Sequence, residues 1–336
     1  MRTYANETLR GLTQRRDIEV RAFAAGRHGH LDGSVRRIQF PLRALHASWR
    51  IAGWPSAEAI TGRVDLVHSL DLVAPPTRLP LVVTVMDVMT SIHPAFFSAE
   101  TRRHQRAHLE GARAAAVVVT ASASTADDIA QVAGIPRERI MVTPLGHRQL
   151  PPPREPTGRL PPEYLLAVSV VEPRKAYDIL AEAVNMVPGC PPLMVVGGDG
   201  WSGAAIRRKV AEIDRLGLVE FLGHVEPEVL SALYAGARLV VQPTLAEGFG
   251  LPLLEALSAG AAVVATDIPQ AREVAGDAAW FTPPGDPEAL AGAIERLLAD
   301  DGARADLGSR AAVRSRTFTW ERTTELLVAA YQRALA

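Results

Sequence analysis

The sequence predicts an α/β protein of two Rossmann-like domains with parallel sheets, on three observations. Strand-like apolar runs alternate with amphipathic, helix-like stretches along almost all of the 336 residues, which is the rhythm of βα repeats. That rhythm breaks once, at Pro151-Pro152-Pro153-Arg154-Glu155-Pro156 through Pro162, a run too rich in proline for helix or strand and read as a linker over 151–163. The two sides of the break also differ in charge. Residues 1–150 carry 19 Arg against 13 acidic residues, and 151–336 hold the remaining 17 basic and 24 acidic ones, so +6 and −7 make up the net −1.

In the first domain, 1–150, the candidate strands are 17–24, 64–68, 80–85, 115–120 and 139–143. Helices are expected near 3–15, 98–113 and 122–133, the last capped by Ser122 or Ser124. The second domain, 164–318, repeats the pattern with strands at 164–170, 192–197, 218–222, 238–242 and 261–266 and a helix after each, Gly260 being suited to a helix C-terminus. Residues 319–336 form one more amphipathic helix, expected to pack back toward the first domain.

Composition narrows the class. With 48% apolar residues there is material for two cores. No secretory leader and no apolar run of about 20 residues is visible, so a cytoplasmic protein is expected. The single Cys190 can form neither an intrachain disulfide nor a cysteine zinc site. No nucleic-acid partner is expected, and nothing fixes the oligomeric state. The basic first half reads either as a solvated face or as a surface for an anionic membrane or a phosphorylated acceptor, which would make the protein peripheral at the inner face of a membrane. The stretch from Arg36 to Trp54 mixes basic and aromatic residues. It has Leu42, Leu45 and Trp49 on one helical face, so a core-facing helix is its default reading.

Two segments carry chemistry. Ala246-Glu247-Gly248-Phe249-Gly250-Leu251-Pro252-Leu253-Leu254-Glu255 puts one carboxylate in a loop and another on the helix that follows. Its glycines allow close backbone approach, and Pro252 suits a first helical turn. A helix N-terminus there would favour an anion. Val170-Val171-Glu172-Pro173-Arg174-Lys175 ends the first strand of the second domain. Its adjacent cations oppose the dipole of the coming helix, which a bound diphosphate would explain. Lys175 is one of only two lysines beside 34 arginines. The plain alternatives are a solvated acidic turn and an exposed basic turn.

Together with Phe221-Leu222-Gly223-His224-Val225 and Thr319-Trp320-Glu321, and with Val83-Thr84-Val85-Met86-Asp87 and Val119-Thr120-Ala121-Ser122 in the first domain, these segments resemble a retaining glycosyltransferase of family 4 over nearly the whole chain. The resemblance implies the GT-B fold, two facing Rossmann-like domains, with the acceptor on the first and a nucleoside-diphosphate sugar on the second. It further implies that Arg174 and Lys175 bind the diphosphate and stabilise it as it leaves, and that Glu247 holds the donor sugar. Gly248, Phe249, Gly250 and Leu251 would meet sugar and phosphate through their backbone. Glu255 would take the ribose, and Gly223, His224 and Val225 the base, with Met86 and Asp87 contributing from the first domain. Such enzymes are thought to react on one face, with the departing phosphate taking the acceptor proton, so Glu247 and Glu255 are not an acid/base pair. The resemblance implies no cofactor beyond the UDP- or GDP-sugar co-substrate. No metal is expected, since the chain contains no Asp-x-Asp triplet and cations can take that role. The transferred unit would be mannose- or glucose-like, and the acceptor is open among envelope polysaccharide, glycolipid and metabolite.

Two departures stand out. Met1-Arg2-Thr3-Tyr4 corresponds to the end of a loop that normally follows a first strand. That strand is therefore missing from the sequence, a start upstream is expected, and its central place should leave backbone and apolar groups uncovered. Met86 stands where the family commonly has a histidine, and a thioether cannot donate a hydrogen bond. These departures motivate the alternative of a weak or inactive relative acting as a scaffold. Three other features carry less. Gly198-Asp199-Gly200-Trp201-Ser202-Gly203 matches a dinucleotide fingerprint but falls in the second βα unit, with Glu220 inside a strand. His104 and His108 lack a third ligand and read as surface residues. His93 reads as an ordinary loop residue.

Overall fold

The computed structural model describes residues 2–25, 35–38, 40–70, 73–147, 150–154 and 160–336. Residues 155–159 of the linker expected over 151–163, Gln39 of the basic-aromatic stretch and Met1 lie outside the described residues. The chain divides into two compact units, one of 1–92, 99–146 and 319–336 and one of 93–98 and 147–318.

The first unit contains α1 (Arg2–Thr13), β1 (Phe23–Ala25), β2 (Arg36–Ile38), α2 (Leu42–Ile51), α3 (Ala57–Thr61), β3 (Val67–Ser69), β4 (Leu81–Thr84), α4 (Met89–Ile92), α5 (Ala99–Ala112), β5 (Val117–Thr120), α6 (Ala123–Ala133) and β6 (Ile140–Val142). Ser122 caps α6 by accepting from Thr125 N, and Gly134 closes it in the left-handed region. All ladders are parallel but fall into two sheets, β3-β4-β5-β6 and a separate β1-β2 pair. The strand expected at 17–24 therefore shrinks to Phe23–Ala25, where its β2 partner lies. The side-chain oxygens Asn6 Oδ1 and Thr120 Oγ1 are buried without a hydrogen-bond partner.

The second unit contains β7 (Leu165–Val168), α7 (Tyr177–Met186), β8 (Leu193–Val196), α8 (Gly203–Ile213), β9 (Val219–Gly223), α9 (Pro227–Gly236), β10 (Leu239–Gln242), α10 (Leu251–Ser258), β11 (Val263–Thr266), α11 (Pro269–Ala275), β12 (Trp280–Thr282), α12 (Pro287–Ala299) and α13 (Asp301–Ser315). One parallel sheet runs β12-β11-β10-β7-β8-β9. Strands buried on both faces explain the continuous apolar runs such as Leu239-Val240-Val241. The chain enters at β7 and builds β8 and β9 on one side, then crosses to build β10 to β12 on the other. The switch point, where doubly wound sheets bind ligands, is thus between β7 and β10.

The last helix, α14 (Trp320–Leu335), is capped by Thr319 and belongs to the first unit. Leu327, Val328, Ala330 and Tyr331 cover Val82, Val117 and Val119 of β4 and β5 beside Leu12 of α1. Gly11 lets α1 and α14 touch, since a Cβ there would meet Thr324 Oγ1 at 2.1 Å.

Candidate functional site

The loops after β7 and β10 meet because their strands are neighbours. Residues Pro173–Lys175 make one tight helical turn, and Ala176 then takes a left-handed conformation, φ 50°, before α7 starts. For a residue with a Cβ this costs roughly 1 kcal/mol. The turn is laced to the β10 loop by Leu245 N donating to Arg174 O at 2.8 Å and by Arg174 Nη1 donating to Ala246 O at 3.0 Å.

Four charged side chains lie in this junction. Arg174 donates to Glu247 Oε2 at 2.9 Å and to Glu172 Oε1 at 2.5 Å, and Lys175 Nζ donates to Glu247 Oε2 as well. The Lys175 side chain is only 5% exposed, so this is a buried network rather than a surface pair. Burial pushes the Lys175 ammonium down, against the pull of Glu247. Burial likewise opposes ionisation of Glu247, but Lys175 and Arg174 outweigh it and hold its carboxyl below the ordinary range. The arrangement is two cations and two carboxylates at the switch point, beside the N-terminus of α10.

Gly250 opens α10 at φ 102°, a conformation favouring glycine, and Pro252 stands in the first turn. A small cavity of about 20 Å³, room for one water, is lined by Lys175, Thr244, Glu247, Phe249, Gly250 and Thr266 among others. Phe249 is buried edge-on against Phe318, while Gly248 is buried and Leu251 partly so. Glu255, one turn into the helix, accepts from Tyr234 Oη of α9 at 3.4 Å, and the same hydroxyl lies 3.3 Å from Pro252 O.

Gly223 ends β9 at φ 70° and its carbonyl accepts from Gly197 N at 2.8 Å. His224 is exposed and Val225 partly buried. Because the sheet is parallel, these residues share its carboxyl edge with Glu172, Lys175 and Glu247. Met86 and Asp87 follow β4 in the first unit. There Asp87 Oδ1 accepts from Met89 N at 3.0 Å and from Gln105 Nε2 at 3.1 Å, so it organises its own turn. Sequence reasoning missed the partnership of Glu172 with Arg174, whose only signal was adjacency within the same motif. It also missed Tyr234, which only the packing of α9 on α10 brings to Glu255.

The remaining features resolve as follows. The glycine-rich stretch 198–203 follows β8, second in the unit, and Asp199 bridges back to Val171. His104 is exposed, but the surface reading of His108 is corrected. That residue is buried, with Nε2 3.0 Å from Thr84 O, because this side of α5 packs on the sheet. His93 stacks on Phe96. The core face of α2 is Leu45 and Trp49, while Leu42 at its first turn is exposed. Among the described residues no group of three or more His, Cys, Asp or Glu is placed to hold a metal ion.

Residues 1–147 match the family described as Glycosyltransferase Family 4, and residues 162–300 the one described as Glycosyl transferases group 1. The chain is 30% identical over 326 residues to the O-antigen chain mannosyltransferase B of Escherichia coli, covering 92% of this chain and 84% of that one. It is 32% identical over 185 residues to the serotype-specific mannosyltransferase WbdA of Escherichia coli, 53% of this chain but only 22% of the relative. Sucrose-phosphate synthase from Thermosynechococcus elongatus superposes with a TM-score of 0.70 at 22% identity, over 89% of this chain and 82% of the other. The two parallel α/β units have the GT-B fold, and the family and relative matches make the chain a glycosyltransferase that uses a nucleotide sugar. The chain belongs to glycosyltransferase family 4.

Proposed function

We propose that the chain is a retaining hexosyltransferase that moves mannose, or a glucose-like unit, from a nucleoside-diphosphate sugar to a saccharide acceptor of the bacterial envelope. The mannosyltransferase that matches along 84% of its length supports the sugar and the setting. The observation that carries the site is the buried network of Glu172, Arg174, Lys175 and Glu247 at the switch point beside the α10 N-terminus.

In this reading Arg174 and Lys175 meet the diphosphate together with the first N–H groups of α10. Glu247, held ionised by those cations, accepts hydrogen bonds from hydroxyls of the donor sugar. Glu255, oriented by Tyr234, takes the ribose, and Gly223, His224 and Val225 border the base. The acceptor oxygen attacks the anomeric carbon from the face the phosphate leaves. The bond to the phosphate oxygen breaks as the new glycosidic bond forms, and the acceptor proton passes to that oxygen. Negative charge grows on the diphosphate as it departs, and fixed cations there lower the barrier without reorganising. No protein carboxylate needs to act as nucleophile, and no metal is required.

Incubation with GDP-mannose, UDP-glucose and other nucleotide sugars, with an envelope-type oligosaccharide acceptor, tests the reading. Transfer or slow donor hydrolysis with one of them is expected, and NMR of the product should show the donor's anomeric configuration. Donor binding without turnover would instead favour a scaffold, to which Met86 points. Inverted product would remove the one-face mechanism.

A further inference from the structure

Of the four charged side chains at the junction of β7 and β10, Glu172 alone has no part in the proposed donor contacts. Its place is nevertheless fixed from both sides. It enters the Pro173–Lys175 turn in an extended conformation, and its carbonyl accepts from Lys175 N at 3.0 Å. Just before it, Val171 N donates to Gly198 O at 2.9 Å and Gly200 N to Val171 O at 3.0 Å, so the glycine-rich stretch after β8 lies directly against this segment. A Cβ at Gly200 would stand 2.6 Å from Val170 Cγ1 and 3.4 Å from Glu172 Cβ, so a side chain there would displace Val170. A stretch that matches a dinucleotide fingerprint thus braces Glu172.

The carboxylate placed in this way meets Arg174. Nη2 of the guanidinium lies 2.5 Å from Glu172 Oε1, while Nη1 lies 2.9 Å from Glu247 Oε2 and 3.0 Å from Ala246 O. Both terminal nitrogens, the fork with which an arginine grips a phosphate, are therefore engaged by acceptors of the protein itself. A diphosphate reaches that fork by displacing one of them. Ala246 O is backbone, and Glu247 is held by Lys175 as well. Among the described residues the Glu172 carboxylate forms its ion pair with Arg174 alone. The side chains of this pair are 18% and 20% exposed, so an entering anion can reach them, whereas Lys175 is nearly enclosed. Glu172 is the partner that can be exchanged at least cost.

We propose that Glu172 is the counter-anion that a diphosphate displaces. It holds Arg174 while the site is empty, yields Nη2 to a phosphate oxygen when the donor binds, and recaptures it as the nucleoside diphosphate departs. Glu172 acts through Arg174 and touches no reacting atom, so it is a positioning residue that sets how tightly donor and product are held. The proposal rests on the reading of Arg174 and Lys175 as the diphosphate ligands.

The test is calorimetric titration of the purified full chain with inorganic pyrophosphate, GDP and UDP. Glu172→Gln keeps the shape of the side chain and removes the competing charge, so it should tighten pyrophosphate and the nucleotide that binds by roughly tenfold. In turnover the inhibition constant of that nucleotide should fall in the same proportion. A residue that merely propped the turn would weaken binding when replaced, so the sign of the change decides. Glu172→Asp keeps the charge but draws it back by one methylene. It should tighten binding by about threefold, and it reads the same competition if the glutamine variant does not fold. In an Arg174→Gln background, Glu172→Gln should shift affinity by about twofold at most, since the cation under competition is gone. Weaker or unchanged binding in the Glu172 variants would overturn the proposal, as would an equal gain in the absence of Arg174, which would show simple repulsion rather than exchange. A wild-type protein that binds none of the three ligands, or binding indifferent to Lys175→Ala, would instead end the reading of the site, and the proposal with it.

Discussion

At the carboxyl ends of β7 and β10, four ionised side chains neutralise one another. At the carboxyl ends of β3 and β4 in the other unit, the polar groups that pack together are uncharged. There His68 Nδ1 lies 2.8 Å from Tyr331 Oη and its Nε2 2.8 Å from Thr84 Oγ1, which also lies 3.3 Å from Tyr4 Oη. Burial pushes His68 down to about 4, so the imidazole is neutral at ordinary pH. Each network lies at neighbouring parallel strands, at a switch point in the second unit and at the β3 edge of the sheet in the first, and the two do different work. The neutral one ties α1, β3, β4 and α14 together. The ionic one keeps two cations close together in a desolvated junction, an arrangement that is costly without counter-charges and useful when a diphosphate adds its own.

The largest effects should come from breaking the ionic network. Lys175→Ala is expected to lower kcat/KM by at least roughly a hundredfold, through both turnover and donor affinity. Glu247→Ala should chiefly lower kcat, because Arg174 and Lys175, the cations proposed to hold the diphosphate, remain. Removing Glu247 also leaves Lys175 buried without its counter-charge, which costs about 3 kcal/mol or more in thermal or denaturant melts. Glu255→Gln should raise KM for the donor with a smaller effect on kcat. Wild-type kinetics in all three would end the assignment of the site.

The neutral network should instead show itself in acid. The folded pKa of His68 lies below its unfolded value near 6.5, so between those two the unfolded chain binds a proton that the native protein refuses. Stability contributed by keeping this histidine neutral is therefore complete at neutral pH and is lost as pH falls from about 6.5 toward about 4. The loss is about 3 kcal/mol at most. Melts followed across that window should show this slope, and His68→Gln should flatten it. An unchanged slope would mean that another group carries the acid sensitivity.

Much of this contrast was legible beforehand, for reasons that differ between the units. In the second unit the four inner strands are buried on both faces, so runs such as Leu193-Met194-Val195-Val196 announce themselves, and the charged motifs follow strand ends. The edge strand Trp280–Thr282 escaped because it is only three residues long and only partly buried. In the first unit the expected strand at 17–24 is mostly irregular, since a strand persists only where a partner supplies its ladder. His108 was misread because helical spacing does not reveal which face of α5 meets the sheet. Tyr234 and Tyr331 could not be read at all, since each depends on packing between elements far apart in sequence.

A smaller test concerns how α14 is held by the first unit. Gly11 admits Thr324 at a distance no Cβ tolerates, so Gly11→Val must push α1 and α14 apart. The expected cost is about 1 to 3 kcal/mol of stability, with donor affinity unchanged because the charged residues proposed to hold the donor belong to the other unit. Loss of donor binding in a folded Gly11→Val protein would show that the units are coupled more tightly than this division allows.

The smallest expected effect probes Met86, the residue proposed to meet the donor whose chemistry departs from the family resemblance. Met86 follows β4 and is partly buried, while Asp87 beside it is engaged with Met89 and Gln105. Replacing methionine by histidine supplies a hydrogen-bond donor at little change in volume, without touching those contacts. One added hydrogen bond to a neutral sugar hydroxyl is worth about 1 kcal/mol, so Met86→His should leave kcat/KM unchanged or raise it up to about fivefold. A fall beyond that range, with the melt unchanged, would mean that the thioether is selected for an apolar contact with the substrate. The first unit would then take part in substrate recognition through shape, while the second does so through charge.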